Sequence, residues 1–245
     1  MKVSIITVCF NSKNGLRKTI QSVSEQTYKN IEHIIIDGGS TDGSLELIKS
    51  SKDIIYLSEP DQGLYDGMNK GLRESNGDVI GFLNSDDVFF DKYTIELIVC
   101  EFKNNKSIDG IFGNLLYVNQ DDKVTRRWLP GEFKQKSFAM GWHPPHPTVY
   151  VKSYLYHNKS YRLDLPVCAD FEIMLQLFEK DSSHMKYMDR YLVKFMDNGV
   201  SSGWSSRISS AYQIYQVLLQ GGYKLSFLNF LWRRYKEKVL QVIKK

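Results

Sequence analysis

The sequence has little cysteine, little proline and no long apolar run. Its 245 residues include three cysteines and six prolines. Cys9, Cys100 and Cys168 are odd in number and widely spaced, which argues against a disulfide framework or a zinc cluster. They lie inside apolar segments and read as small buried hydrophobes of a reducing compartment. No stretch reaches the roughly 18 apolar residues of a membrane span. Met1 to Phe10 is apolar, but only Lys2 precedes the run and no small-residue cleavage site follows it. It reads as a first strand, not a leader. No Gly-x-Gly-x-x-Gly follows that run, which disfavours a dinucleotide redox site. No Gly-Lys-Ser/Thr loop occurs, which excludes a P-loop NTPase.

Net positive charge is confined to the tail. The net charge is +4, yet Lys224 to Lys245 holds seven basic residues against one acidic, or +6, which leaves −2 for the remainder. This argues against a nucleic-acid-binding face on the main body. Hydrophobic content of 42% and charged content of 24% are those of a globular protein. The length fits one domain, or one domain with an appendage. The fifteen tyrosines have apolar bodies and polar tips. Such side chains suit sugar faces and membrane interfaces, and also fill ordinary cores.

The first hundred residues alternate between two patterns. Val3–Cys9, Ile31–Ile36, Ile54–Leu57 and Val79–Leu83 are apolar and rich in β-branched residues, hence buried strands. Leu16–Gln26, Ser44–Lys49, Tyr65–Glu74 and Tyr93–Phe102 carry apolar residues at helical spacing. Strands alternating with helices predict βαβ units and a mostly parallel sheet. Further on, Ile108–Asn119 and Lys123–Leu129 form a strand pair across Gln120-Asp121-Asp122. Gly141–Pro147 is a proline-bound loop. Thr148–Val151 and Tyr187–Met196 are strands, and Cys168–Glu179 is a helix. Asn198 to Gly203 reads as a loop, followed by helices over Ser209–Gln220 and about Leu225–Ile243.

Four polar clusters follow the first four strands. They are Phe10-Asn11, Asp37-Gly38-Gly39-Ser40-Thr41-Asp42-Gly43, Glu59-Pro60-Asp61-Gln62-Gly63 and Asn84-Ser85-Asp86-Asp87. Each alone is ordinary turn chemistry. In a parallel sheet all four fall on one edge, where open α/β sheets bind ligands. Asp86 and Asp87 beside an amide suit a hard divalent cation such as Mg²⁺ or Mn²⁺. A cation held by few protein oxygens leaves positions open for a phosphate.

These segments resemble a known family. Val3 to Asn11, then Gln26-Thr27-Tyr28, then Ile36 to Gly43 look like the opening of family 2 glycosyltransferases of GT-A fold. Glu59 to Gly71 is similar to the colanic-acid-type branch of bacterial polysaccharide assembly. The resemblance implies sugar transfer from a nucleotide-diphospho-sugar, with inversion, to a saccharide or lipid-linked saccharide. It implies that Phe10 stacks on the nucleobase, Asp37 reads it, Asn84 meets the ribose, and Asp86 with Asp87 holds the metal. Asn11, Ser40, Asp61, Asp66, Asn69, Lys70 and Ser85 are further donor-pocket expectations. Asp170, opening a late helix, matches the family's general base, with Glu172 as the nearby alternative. Trp142, His146 and Ser201 are expected near the acceptor or the phosphates. The chain departs from the family pattern twice: Gly38 and Asn84 stand where carboxylates are usual.

The expected organisation is a catalytic domain over 1–203, with a nucleotide-sugar half over about 1–105 and an acceptor half over about 106–203. Residues 204–245 form two C-terminal helices. In the second, Leu228, Leu231, Trp232, Tyr235, Val239, Val242 and Ile243 make a stripe among basic residues. Such a helix can lie on a membrane surface or pack on the domain. The expected location is the cytoplasm, free or peripheral on the cytoplasmic membrane face. Two other readings fit the same edge: a nucleotide-sugar hydrolase or nucleotidyltransferase, and a non-catalytic glycan- or partner-binding protein.

Overall fold

The computed structural model describes residues 1–180, 184–196, 204–232 and 234. Its first half is β1 (Val3–Cys9), α1 (Lys13–Ser24), β2 (Ile31–Asp37), α2 (Ser44–Ser50), β3 (Ile54–Ser58), α3 (Leu64–Glu74) and β4 (Val79–Phe82). The short β5 (Val88–Phe89) and α4 (Thr94–Asn104) follow. The second half adds β6 (Gly110–Val118), β7 (Val124–Trp128), β8 (Tyr150–Lys152), α5 (Ala169–Leu175), β9 (Met185–Met196) and α6 (Trp204–Gln220). A final helical segment spans 227–232.

The strands form one sheet in the order β3-β2-β1-β4-β8-β6-β9-β5, with β7 paired to β6. Strands β1 to β4 run parallel, as the alternation of strands and helices requires. The parallel β6–β9 pair is joined to them through the antiparallel β8. Every residue of β1 is buried, because helices cover both faces. Alternation then divides the core. Ile6, Val8, Ile34, Ile36 and Phe82 pack on one side with Phe112 and the α5 residues. Val3, Ile5 and Val79 pack on the other with Ile95, Ile98 and Phe102 of α4.

Helix α3 lies unusually close to β1. A Cβ at Gly67 would come within 2.5 Å of Val8 Cγ1, and one at Gly71 within 2.3 Å of Ile6 Cγ2. Glycine inside a helix costs about 1 kcal/mol relative to alanine. Here it lets the start of α3 approach the ends of β1 and β2.

One expectation changes, and two features are added. Cys9 and Cys168 are buried, but Cys100 is exposed on α4. Strand β5, only two residues long, has no sequence pattern; its pairing with β9 creates it. The described part of the C-terminal helices packs on the sheet domain: Ile214, Val217, Leu218 and Phe230 join the α5 cluster. Phe230 is fully buried, whereas Leu228 and Trp232 of the expected stripe are exposed. Tyr235, Val239, Val242 and Ile243 lie outside the described residues. No described helix is long and apolar enough to cross a membrane.

Candidate active site

The ends of β1, β2 and β4 and the start of α3 meet at one edge. Phe10 follows β1 and is 63% exposed, so its ring is open to a stacking partner. Next to it the chain turns through Asn11 at φ 48°, a conformation that asparagine tolerates. Asn11 ties two loops together. Its N–H donates to Ser40 Oγ at 2.8 Å, and its Oδ1 accepts from Thr41 N at 2.8 Å. Asp37 is fully buried. It accepts from Ser40 N at 3.2 Å and from Ser58 Oγ at 2.7 Å. The structure therefore turns Asp37 inward, away from a ligand.

The cluster after β4 splits between two environments. Asp86 is half-buried and accepts from Ser12 Oγ at 3.0 Å. It rests on the first turn of α1, where a Cβ at Gly15 would fall 1.6 Å from its Oδ1. Asp87 is buried and faces the Met196 backbone N–H and Asn84. Burial pushes its carboxyl up to about 8, against those hydrogen bonds and with the Asp86 charge adding. Asp87 Oδ2 and Asn84 Oδ1 are buried without a hydrogen-bond partner. Ser85 is half-buried in the turn, its carbonyl near Gly15.

These oxygens fit a hard cation: one accessible carboxylate, with unpartnered oxygens at Asn84 and Asp87. Among the described residues, no three His, Cys, Asp or Glu side chains gather closely enough to hold an ion alone. A cation bound here would need ligands beyond these side chains.

Across the edge, Asn84 and Asp170 line the same cavity of about 160 Å³, with Tyr65, Trp128, His143 and His146. Asp170 Oδ1 accepts from Tyr65 Oη at 3.1 Å and from Phe171 N at 2.8 Å. Burial and the Asp170 charge hold the Tyr65 hydroxyl far above its ordinary range, so it stays a donor. Tyr65 stacks on Tyr161, with ring centres 5.8 Å apart. His146 Nε2 meets Tyr161 Oη at 2.7 Å, and burial pushes its pKa down against the pull of Asp170. His146 is therefore held neutral in the cavity wall.

Other expected residues have partners within the protein. Asn69 clamps α3 to Tyr161: Nδ2 donates to the Tyr161 carbonyl at 2.9 Å, and Oδ1 accepts from its N–H at 2.7 Å. Lys70 Nζ donates to the Pro60 carbonyl at 2.9 Å and pairs with Glu59 at 2.9 Å. Asp66 accepts from Gln62 N at 3.1 Å, and Asp61 from Gly63 N at 2.9 Å. Lys70 and Asp66 thus hold the loop that presents Asp61. Trp142 packs among Phe112, Phe133, Phe138 and Phe178, and its Nε1 donates to the Pro130 carbonyl at 2.7 Å. It borders a separate groove of about 1000 Å³, away from Asp170. Glu172 is buried and accepts from Gln176 Nε2 at 2.6 Å.

Ser201 lies outside the described residues. Gly199-Val200-Ser201-Ser202-Gly203 has the glycine–serine–glycine spacing of a hydrolase elbow. That motif requires a strand-to-helix turn at the top of a hydrolase sheet.

Several wall residues escape sequence reasoning. Trp128 stacks on Tyr117 at 6.5 Å between ring centres and meets His143 edge-on at 4.9 Å. Its Nε1 is buried without a partner. Arg234, on the C-terminal segment, is held near Asp170 and Cys168, and burial pushes its pKa down. A Cβ at Gly141 would lie 2.9 Å from Arg234 Cα, so a glycine admits this approach. In the sequence Arg234 is one of several tail cations, with nothing to single it out.

The parallel β3-β2-β1-β4 order and the oxygen-rich edge after β4 define a GT-A-like transferase fold. Residues 4–159 match the profile of Glycosyl transferase family 2, and the chain belongs to that family. It is 32% identical over 179 residues to uncharacterized glycosyltransferase Rv1514c of Mycobacterium tuberculosis, covering 71% of this chain and 68% of that protein. Its fold is similar to Staphylococcus aureus TarS 1-349 in complex with UDP-GlcNAc. The TM-score is 0.71 at 15% identity, over 96% of this chain and 73% of that one. It is also similar to the mannosyltransferase PcManGT of Pyrobaculum calidifontis, in complex with GDP-Man and Mn²⁺. There the TM-score is 0.66 at 14% identity, over 97% and 73% of the two chains.

Proposed function

We propose that this glycosyltransferase moves a sugar from a nucleotide-diphospho-sugar to an acceptor hydroxyl, with inversion, in bacterial surface polysaccharide synthesis. The carrying observation is that Asn84, two residues before Asp86 in the chain, lines one cavity with Asp170. Phe10 offers its exposed ring to the base. Asn84, which lines the cavity, meets the ribose. Asp86, with Asp87 behind it, holds Mg²⁺ or Mn²⁺, which when bound offsets the negative charge developing on the leaving diphosphate. PcManGT in complex with GDP-Man and Mn²⁺ supports that assignment.

Asp170 is the base in this reading. Tyr65 and the Phe171 N–H hold its Oδ1, leaving Oδ2 to take the acceptor's proton as the hydroxyl attacks the anomeric carbon. A placed base contributes roughly 10²–10⁴-fold. The wall of Trp128, His143 and His146 faces the acceptor, a saccharide or lipid-linked saccharide. Asp170→Asn tests the assignment. Transfer is expected to fall by about that factor while donor affinity is retained. Loss of donor binding together with transfer would refute it.

We also place the protein in the cytoplasm, peripheral on the membrane. The support is exposed Leu228 and Trp232 beside a basic tail. Co-sedimentation with anionic vesicles is expected to drop in the L228S/W232S variant, and equal binding would remove this placement.

A further inference from the structure

We infer that Asp61, not Asp37, reads the pairing edge of the donor's nucleobase, accepting a base N–H on its Oδ2. The inference rests on the donor-edge reading above and assigns that edge a base class. Asp37 is 0% exposed, so no ligand reaches it. Its carboxylate is engaged by Ser40 N and Ser58 Oγ within the protein.

Asp61 occupies the space beside it. A Cβ at Gly38 would lie 2.6 Å from Asp61 Oδ2 and 3.0 Å from its Cγ. A Cβ at Gly67 would lie 3.4 Å from the same oxygen. Two glycines, one after β2 and one in α3, thus leave the slot in which this carboxylate lies. Any side chain at position 38 would have to displace it. The position that lacks a carboxylate is therefore filled by one from the next strand end.

The carboxylate is also held in place. Lys70 fixes its loop through Pro60 and Glu59, and Asp66 fixes it through Gln62. Asp61 Oδ1 accepts from Gly63 N, while Oδ2 has no hydrogen bond among the described residues. The slot is close to the exposed ring: Gly38 N donates to the Cys9 carbonyl at 2.9 Å, and Phe10 is the next residue. A base stacked on Phe10 would have its edge beside Gly38, where Asp61 Oδ2 lies.

A carboxylate acceptor selects among bases by chemistry. Uracil offers N3–H, and guanine offers N1–H with its amino group. Cytosine and adenine present an unprotonated ring nitrogen there, whose lone pair opposes a carboxylate. The donor class is therefore a uridine or guanosine diphosphosugar. A hydrogen bond to a charged group corresponds to roughly 10–100-fold in affinity.

The test is calorimetric titration of the full chain with UDP, GDP, CDP and ADP in Mn²⁺. UDP or GDP is expected to bind at least about 10-fold tighter than CDP and ADP. Asp61→Asn should collapse that ratio, because an amide N–H can serve the cytosine ring nitrogen. Asp61→Gly should lose it as well, and the double variant G38D/D61G should recover it by growing the carboxylate from β2. Phe10→Ala should weaken all four nucleotides together. If Phe10→Ala does so while Asp61→Asn changes no ratio, the Asp61 assignment fails and the donor edge stands. If neither variant alters binding, the donor-edge reading itself fails. A wild-type chain without base preference also overturns the inference.

Discussion

Tyr65 Oη donates a hydrogen bond to Asp170 Oδ1 at 3.1 Å, linking the first turns of α3 and α5 across the cavity. The bond fixes which carboxylate oxygen stays free. Tyr65→Phe keeps the ring that stacks on Tyr161 and removes only the donor. Turnover is expected to fall roughly 10–100-fold, the range for a hydrogen bond to a charged group. Donor affinity, measured by calorimetry, should stay within about twofold. A variant that loses donor affinity and turnover in parallel would remove Tyr65 from this role.

Asn69 holds the same cavity from behind. Both polar atoms of its amide bond the Tyr161 backbone, and the residue is buried. Asn69→Ala leaves a buried N–H and a buried carbonyl without partners. Each such group costs about 1–3 kcal/mol. A stability loss of about 2–6 kcal/mol is expected in denaturant unfolding. Nucleotide affinity of the folded fraction should be unchanged, since Asn69 does not face the donor. Selective loss of nucleotide affinity at full stability would return Asn69 to the donor pocket.

Runs such as Val3–Cys9 made the first four strands legible, because β-branched residues buried on both faces leave few alternatives to a parallel strand. The shared edge followed from that topology, and the spacing of polar clusters pointed to it. Which polar side chains face outward was not legible. Asp37 turns inward because Ser58, on another strand, meets it, and Asn69 does so because Tyr161 passes overhead. Such partners are distant in sequence and leave no local pattern. Strand β5 and the approach of Arg234 to Asp170 depend likewise on contacts that exist only once the chain is folded.

His33 makes the fold sensitive to acid. It is buried in β2 and meets Thr7 Oγ1 at 3.0 Å; Thr7 itself donates to the Leu83 carbonyl at 2.7 Å. The imidazole is therefore the donor, in its neutral Nε2–H form. Burial pushes its pKa from 6.5 down to about 4. Between those values the unfolded chain binds a proton that the folded chain refuses. Stability from this group is therefore full above about pH 6.5 and lost as pH falls through about 4. The full loss is about 3 kcal/mol. Thermal unfolding followed from pH 7 to 4 should show this decline, and His33→Gln should flatten it. An equal slope in the variant would assign the acid sensitivity to other groups.

Gly15 controls Asp86, and the metal reading can be tested through it. A Cβ at Gly15 would lie 1.6 Å from Asp86 Oδ1 and 2.6 Å from the Ser85 carbonyl, so Gly15→Ala must displace this turn. Alanine favours the helix over glycine by about 1 kcal/mol, which separates a local effect from unfolding. Displacing an oriented ligand typically costs 10–100-fold in metal affinity. The half-activating Mn²⁺ concentration of Gly15→Ala should rise by about that factor, as it should in Asp86→Asn. Chelation of the wild type should abolish transfer, with Mg²⁺ or Mn²⁺ restoring it. Asn84→Asp adds a charge at the same strand end, where the unpartnered Oδ1 already lies buried. It should lower the Mn²⁺ requirement, because two close anions attract the cation more strongly than one. An unchanged requirement in Asn84→Asp and Gly15→Ala together would mean that the carboxylates after β4 do not hold a metal.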